Sequence, residues 1–275
     1  MPELFGRMEF AADLAKAAGA VALRHFQTEL VIEVKADRSP VTIADRECER
    51  LIRERISAVY PDDGIFGEEL GEKPGKSGWR WVVDPIDGTK SFVQGVPLFG
   101  VLIGLERAEG PEVGAVYLPA LSELVCGARG EGSWWNGRRA RVSSVDRLAD
   151  ACLSYTNVKT FEEAGPDRLA AWTRLCDASR LQRGWGDCYG HVLVATGRAE
   201  VMLDPILSPW DCAALLPILE EAGGTFTDWR GGRTIHGGSG ISTNGKLFAP
   251  LFRILEEGFR SGTPDDGKGG RREAP

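Results

Sequence analysis

The sequence predicts a mixed α/β protein with layered sheets and helices, arranged in two halves. Three observations carry this. Stretches with apolar residues spaced near 3.6 alternate with short apolar runs bounded by Gly and Pro. The chain has 275 residues, enough for one large domain or two modest ones, and is 43% hydrophobic and 27% charged, an ordinary globular composition. No internal repeat is evident, and no run of about 18 apolar residues suggests a membrane span.

Residues 9–27, EFAADLAKAAGAVALRHFQ, are Ala-rich with helical spacing and predict the first helix. LVIEV (30–34) predicts a short strand, and KADRSP (35–40) a polar loop ending in a helix-breaking Pro. TIADRECERLIRERISAVYP predicts a helix stopped at Pro61. GIFGEEL reads as a strand entering a loop, and WRWVVD, PLFGVLIGLE, EVGAVYLPA and ELVCGARG as successive strands of one sheet. This first half is expected to span 1–145. The second half, 146–260, is expected to carry helices at 162–178, CYGHVLVATG and PWDCAALLPILEEAGG, the last two with Gly stops. EVMLD and TFTDW predict strands there, and ISTNGKLFAPLFRILEEGF a strand turning into a final helix. SGTPDDGKGGRREAP (261–275), polar and rich in Gly and Pro, reads as a disordered tail.

Composition narrows the function. With 33 Lys+Arg against 40 Asp+Glu, the net charge is −7, which argues against a nucleic-acid or membrane-surface binder. Six cysteines without a CxxC predict free thiols, buried or partly buried, in a reducing cytoplasm. Met1–Phe10 carries Glu3 and Glu9 and lacks an apolar core, so no secretory leader is expected. Three histidines are too few for a His-rich metal site.

The informative stretch is WVVDPIDGTKSF (81–92), where Asp84 and Asp87 follow an apolar run at once. Two close carboxylates repel, so one must hold a proton or a cation must sit between them. Further carboxylates stand at other element ends: Glu68 and Glu69 after GIFG, Asp211 in PWDCAALL, and Asp45 early in the second helix. Hard oxygen donors in this number suit Mg²⁺ or Mn²⁺. If a helical turn starts at Gly88-Thr89, its N–H groups can hold a phosphate, and the combination indicates phosphoryl chemistry.

GEEL, WVVDPIDGTKSF and PWDCAALLPILEEAGG resemble three signature segments of the inositol monophosphatase-like, Mg²⁺-dependent, lithium-sensitive phosphatases, and KADRSPVTIAD resembles their mobile metal-binding loop. The resemblance runs from about residue 10 to about residue 258, and the ordered set is far more specific than any one segment. It implies an αβαβα sandwich of the inositol monophosphatase/fructose-1,6-bisphosphatase type, a homodimer, and two or three Mg²⁺ ions per site. It further implies Glu68, Asp84, Asp87, Asp211 and the Ile86 carbonyl as metal ligands. Thr89, hydrogen-bonded to Asp45, would orient the attacking water, Gly88 and Thr89 would hold the phosphate, and Lys35 would lie on the mobile loop. The substrate would be a small phosphate monoester, with water attacking its phosphorus directly. DPIDGTKSFVQGVPLFG and WGDCYGH are more similar to the histidinol-phosphate phosphatases of this superfamily than to its inositol enzymes, which stand as the alternative. Asp187 and Asp204 would then form an acidic pair for the cationic histidinol group, although the family usually has the longer Glu at the position of Asp204.

Plainer roles stand beside these. Glu69 reads as a supporting or solvated residue rather than a ligand, Lys35 as a solvated loop lysine, Asp187 as a turn or cap residue, and His191 as structural. A haloacid-dehalogenase-type phosphatase, with its aspartyl-phosphate intermediate, would need DxDGT, and DPIDGT has one residue too many. A binding protein on the same fold would not need a complete set of ligands and a water-orienting Thr.

Overall fold

The computed structural model describes residues 2–29, 32–34 and 40–260. Lys35 and the tail expected at 261–275 lie outside the described residues. The first half gives α1 (Pro2–His25), β1 (Glu33–Val34), β2 (Pro40–Val41), α2 (Ile43–Val59), β3 (Gly64–Gly67), β4 (Gly71–Lys73), β5 (Arg80–Asp87), α3 (Thr89–Val93), β6 (Gly100–Arg107), β7 (Gly110–Leu118), β8 (Glu123–Ala128), β9 (Gly132–Trp135) and β10 (Arg138–Arg139). The second gives β11 (Cys152–Tyr155), α4 (Val158–Glu163), α5 (Pro166–Ala178), β12 (Leu181–Arg183), α6 (Asp187–Ala195), β13 (Val201–Asp204), α7 (Pro209–Ala213), α8 (Leu215–Glu221), β14 (Thr225–Thr227), β15 (Gly240–Thr243) and α9 (Phe248–Arg260).

Strands β3 to β10 form an eight-stranded sheet in the order β10-β9-β8-β7-β6-β5-β3-β4, and β11 to β15 a five-stranded one in the order β12-β11-β13-β15-β14. The first is antiparallel except where β3 runs parallel to β5. Alternate side chains go to opposite faces, so neighbours in sequence join different cores. Val83, Ile103 and Ala115 pack under α1 and α2, while Val82, Leu102 and Val116 pack on α6, α7 and α8. Met202 and Phe226 close that central layer from the second sheet. Leu153, Val201, Leu203 and Ile241 face the other way, onto α4, α5 and α9. The result is five layers, αβαβα, as the resemblance implies.

Several boundaries differ from the sequence reading. α1 starts at Pro2, seven residues earlier than expected, with Glu3 favourably placed in its first turn. The helix expected at 162–178 is two, because Gly165 at φ 113° followed by Pro166 breaks it. The helix expected at 209–224 divides at Ala214 into α7 and α8. The strand expected at 225–229 ends at Thr227. Strands β9 to β12, of two to four residues each, escaped the reading because such short runs carry too few side chains to show a period.

Candidate active site

β5 sets the centre of the site. It enters the sheet as a regular strand, and its register with β6 shifts between Asp84 and Asp87. A bulge of this kind re-aims side chains at a strand end. Asp84 Oδ1 accepts from the Ile86 N–H at 3.0 Å, which folds the irregular segment on itself. Gly88 follows at φ 79° and caps α3, so the helical turn begins at Thr89. A side chain at Gly88 would meet Leu98 O at 2.9 Å and Asp187 Oδ2 at 3.1 Å, so this glycine is required by space as well as by backbone.

Asp211 arrives from the opposite layer. Ser208 N–H donates to Asp211 Oδ2 at 2.7 Å in a reciprocal helix cap. α7 and α8 rest on two strand glycines: a Cβ at Gly104 would lie 2.7 Å from the Ala213 Cβ, and one at Gly114 would fall on the Ala214 carbonyl. This close seating brings Asp211 to β5. Asp84, Asp87 and Asp211 each offer a carboxylate oxygen within 4.8 Å of the others.

The electrostatics are those of a cation site. Burial pushes Asp84 well above the ordinary carboxylate range, with the charges of Glu68, Asp87 and Asp211 adding to it. Burial, then the Asp211 charge, raises Asp87 to about 7, against hydrogen bonds from Cys188. Burial also raises Asp211 to about 7. Carboxylates held this close repel, and a proton on one of them relieves the repulsion in the metal-free protein. A divalent cation would replace that proton. Asp45 Oδ1 is buried and has no hydrogen-bond partner among the described residues, a second indication that a donor or cation completes the site. The donor set therefore fits a hard divalent metal.

Thr89 and Asp45 depart from expectation. Thr89 Oγ1 donates to Ile86 O at 3.0 Å, and Asp45 Oδ2 accepts from Thr42 N and Thr42 Oγ1 at 2.7 and 2.6 Å. The expected Thr89–Asp45 hydrogen bond is thus replaced: Asp45 is the third residue of α2 and closes that helix's cap. The Ile86 carbonyl keeps a second lone pair beside its bond to Thr89.

A cavity of about 490 Å³ opens over Glu68, Asp87, Gly88, Thr89 and Asp211. Asp187 and Asp204 line it as well. Asp187 adopts φ 51° at the start of α6, its N–H donating to Thr156 Oγ1 at 2.9 Å. Burial raises its pKa strongly, with the charges of Asp87 and Asp204 adding. Asp204 is committed more deeply than expected. Its Oδ2 lies 3.2 Å from His191 Nε2, while His191 Nδ1 lies 2.6 Å from Ser242 Oγ. Burial lowers His191 to about 3 and raises Asp204 to about 8, so at neutral pH a neutral imidazole faces a largely protonated carboxyl. Both ring nitrogens of His191 are thus engaged within the protein. A second cavity, of about 470 Å³, holds Arg80, Arg107 and Arg233, each paired with a glutamate.

The sequence reading missed Thr156, which accepts from the Asp187 N–H and lines the same cavity. It also missed Glu49, a fully buried carboxylate on α2. The latter left a signal: positions 45, 49, 52 and 56 share one face of α2, and two acids on the apolar stripe of an amphipathic helix are out of place.

The inositol monophosphatase family profile matches residues 7–257. A histidinol-phosphatase of Chlorobaculum parvum is 45% identical over 255 residues, covering 92% of this chain and 98% of that protein. One of Streptomyces coelicolor is 37% identical over 269 residues, covering 94% and 100%. Among solved structures, the extragenic suppressor protein SuhB of Bartonella henselae superposes with a TM-score of 0.85 at 30% identity, covering 92% of this chain and 99% of that one. Fold, carboxylate cluster and these similarities agree, and the chain belongs to the inositol monophosphatase family.

Proposed function

We propose that this phosphatase hydrolyses L-histidinol phosphate to L-histidinol and phosphate, with Mg²⁺ as its metal. The observation that carries the substrate is the 45% identity to a histidinol-phosphatase over almost the full length of both chains. Asp84, Asp87, Asp211 and Glu68, with the Ile86 carbonyl, would hold the divalent ions. Bound there, such ions supply positive charge at the phosphoryl oxygens and acidify a water. The chain's own groups do the rest. Gly88 and Thr89 N–H groups at the start of α3 hold the phosphate. Thr89, Asp45 and Glu68 take hydrogen bonds from the attacking water and fix its line of approach. Asp187 and Asp204, which line the same cavity, would meet the cationic end of the alcohol, whose charge favours their ionised forms. Li⁺ inhibition and a homodimer follow from family membership as expectations.

One experiment tests substrate and wall together: kcat/KM for histidinol phosphate, inositol 1-phosphate and p-nitrophenyl phosphate, on the wild type and on Asp204→Asn. Asparagine can keep a hydrogen bond to His191, so the fold should survive. The wild type should prefer histidinol phosphate. The variant should lose about 1.5–3 kcal/mol of transition-state binding with it, and almost nothing with p-nitrophenyl phosphate. Preference for inositol 1-phosphate would reject the proposal, and equal losses on both esters would place Asp204 in structural work.

A further inference from the structure

Glu49 is 0% exposed, and its carboxylate faces a backbone turn. Its Oε2 accepts from Glu69 N–H at 2.8 Å, and its Oε1 from Leu70 N–H at 3.2 Å and Arg53 Nε at 2.7 Å. Arg53 Nη2 in turn donates to Gly71 O. On the other side, a Cβ at Gly67 would fall on Glu49 Oε1. One carboxylate is thus wedged beneath the turn 67–71 and grips the backbone immediately after Glu68.

Burying a charge is costly, and an ordinary surface turn could satisfy the same N–H groups with water. The contrast with Asp45, one turn earlier on the same helix face, separates two tasks. Asp45 keeps one oxygen without a partner among the described residues, whereas both Glu49 oxygens are used. Glu49 is therefore committed to the backbone of the turn and to Arg53. We propose that Glu49 is a positioning residue: by fixing the backbone of Glu69 and Leu70 it sets Glu68 for cation binding, and Gly67 is glycine to admit it. This rests on the reading of Glu68 as a metal ligand given above.

The test follows the gain in Tm of the metal-free protein as Mg²⁺ is titrated in, which reports binding without turnover. Glu49→Gln keeps the shape but has one acceptor oxygen for donors now shared between two. Gly67→Ala keeps the carboxylate and displaces it. Both should raise the midpoint of Mg²⁺ binding, obtained from the dependence of Tm on Mg²⁺ concentration, by about tenfold or more, the usual effect of losing a partner that orients a ligand. Ile56→Val, on the same buried stripe of α2, should lower the metal-free Tm and leave that midpoint in place. If Glu49→Gln does not fold, Gly67→Ala carries the measurement. Wild-type midpoints in the folded variants would overturn this inference alone. A wild type that gains nothing from Mg²⁺ would overturn the metal reading and this inference with it.

Discussion

Asp84 is 2% exposed and stands among Glu68, Asp87 and Asp211, so its charge is disfavoured by burial and by three neighbours at once. Asp84→Asn should therefore have opposite effects on two measurements. The metal-free protein should melt higher, because a repelling buried carboxylate is gone. Phosphatase activity and the Mg²⁺-induced gain in Tm should both collapse. Asp45→Asn should be milder, costing about 10²–10³ in kcat as one misaligned group does. Equal activity in the two variants would show that these roles are misassigned. At this scale the sequence is most legible: Asp84, Asp87 and Asp211, placed by motif, do meet at one point. What it hid were pairings. Nothing in the order of residues says that Asp45 bonds Thr42 rather than Thr89, or that Asp204 is shared with His191, because those choices are made by packing across layers.

Elements place Asp211 through two glycines. Gly104 and Gly114 sit in mid-strand, where glycine ordinarily weakens a sheet, and the compensation is that α7 and α8 lie directly on the backbone of β6 and β7. Gly114→Ala should push α8 off through the Ala214 carbonyl. The expected cost is about 1–3 kcal/mol, a fall in Tm of several degrees by calorimetry. Activity should drop with it, since a shift of about 1 Å at Asp211 can cost 10²-fold. An alanine variant with unchanged Tm and rate would mean that the helix seat is loose. The glycines within FGVLIGLE and EVGAVYL signal a close approach, but the sequence does not say of what. Long helices and the central strands were readable from period and length, whereas the break at Gly165-Pro166 was overlooked and the division at Ala214 has no breaker at that residue.

For the whole molecule, the cluster links stability to pH. Asp87 and Asp211 near 7 and Asp204 near 8 hold protons in the folded, metal-free protein that the unfolded chain has released above about pH 4. Unfolding loses those protons, so their contribution to stability is present in acid and disappears as pH rises through about 7 to 8. His191 acts at the other end: near 3 when folded and 6.5 ordinarily, it withdraws stability as pH falls below about 6.5. Mg²⁺ needs the carboxylates ionised, so saturating Mg²⁺ should raise Tm more at about pH 8 than at about pH 5.5. Equal gains at both would show that the acids do not hold the metal. The layered architecture was legible from the alternation of helical and strand patterns. The assignment of each strand to one of two sheets was not, because pairing is non-local. The two helix caps have a final consequence. Asp45 and Asp211 each give one oxygen to starting a helix, at Thr42 and at Ser208. A chain that begins either helix in the wrong place presents those carboxylates wrongly too. A cation that draws on those carboxylates would therefore also favour the correct start of each helix, so that binding and local folding support one another.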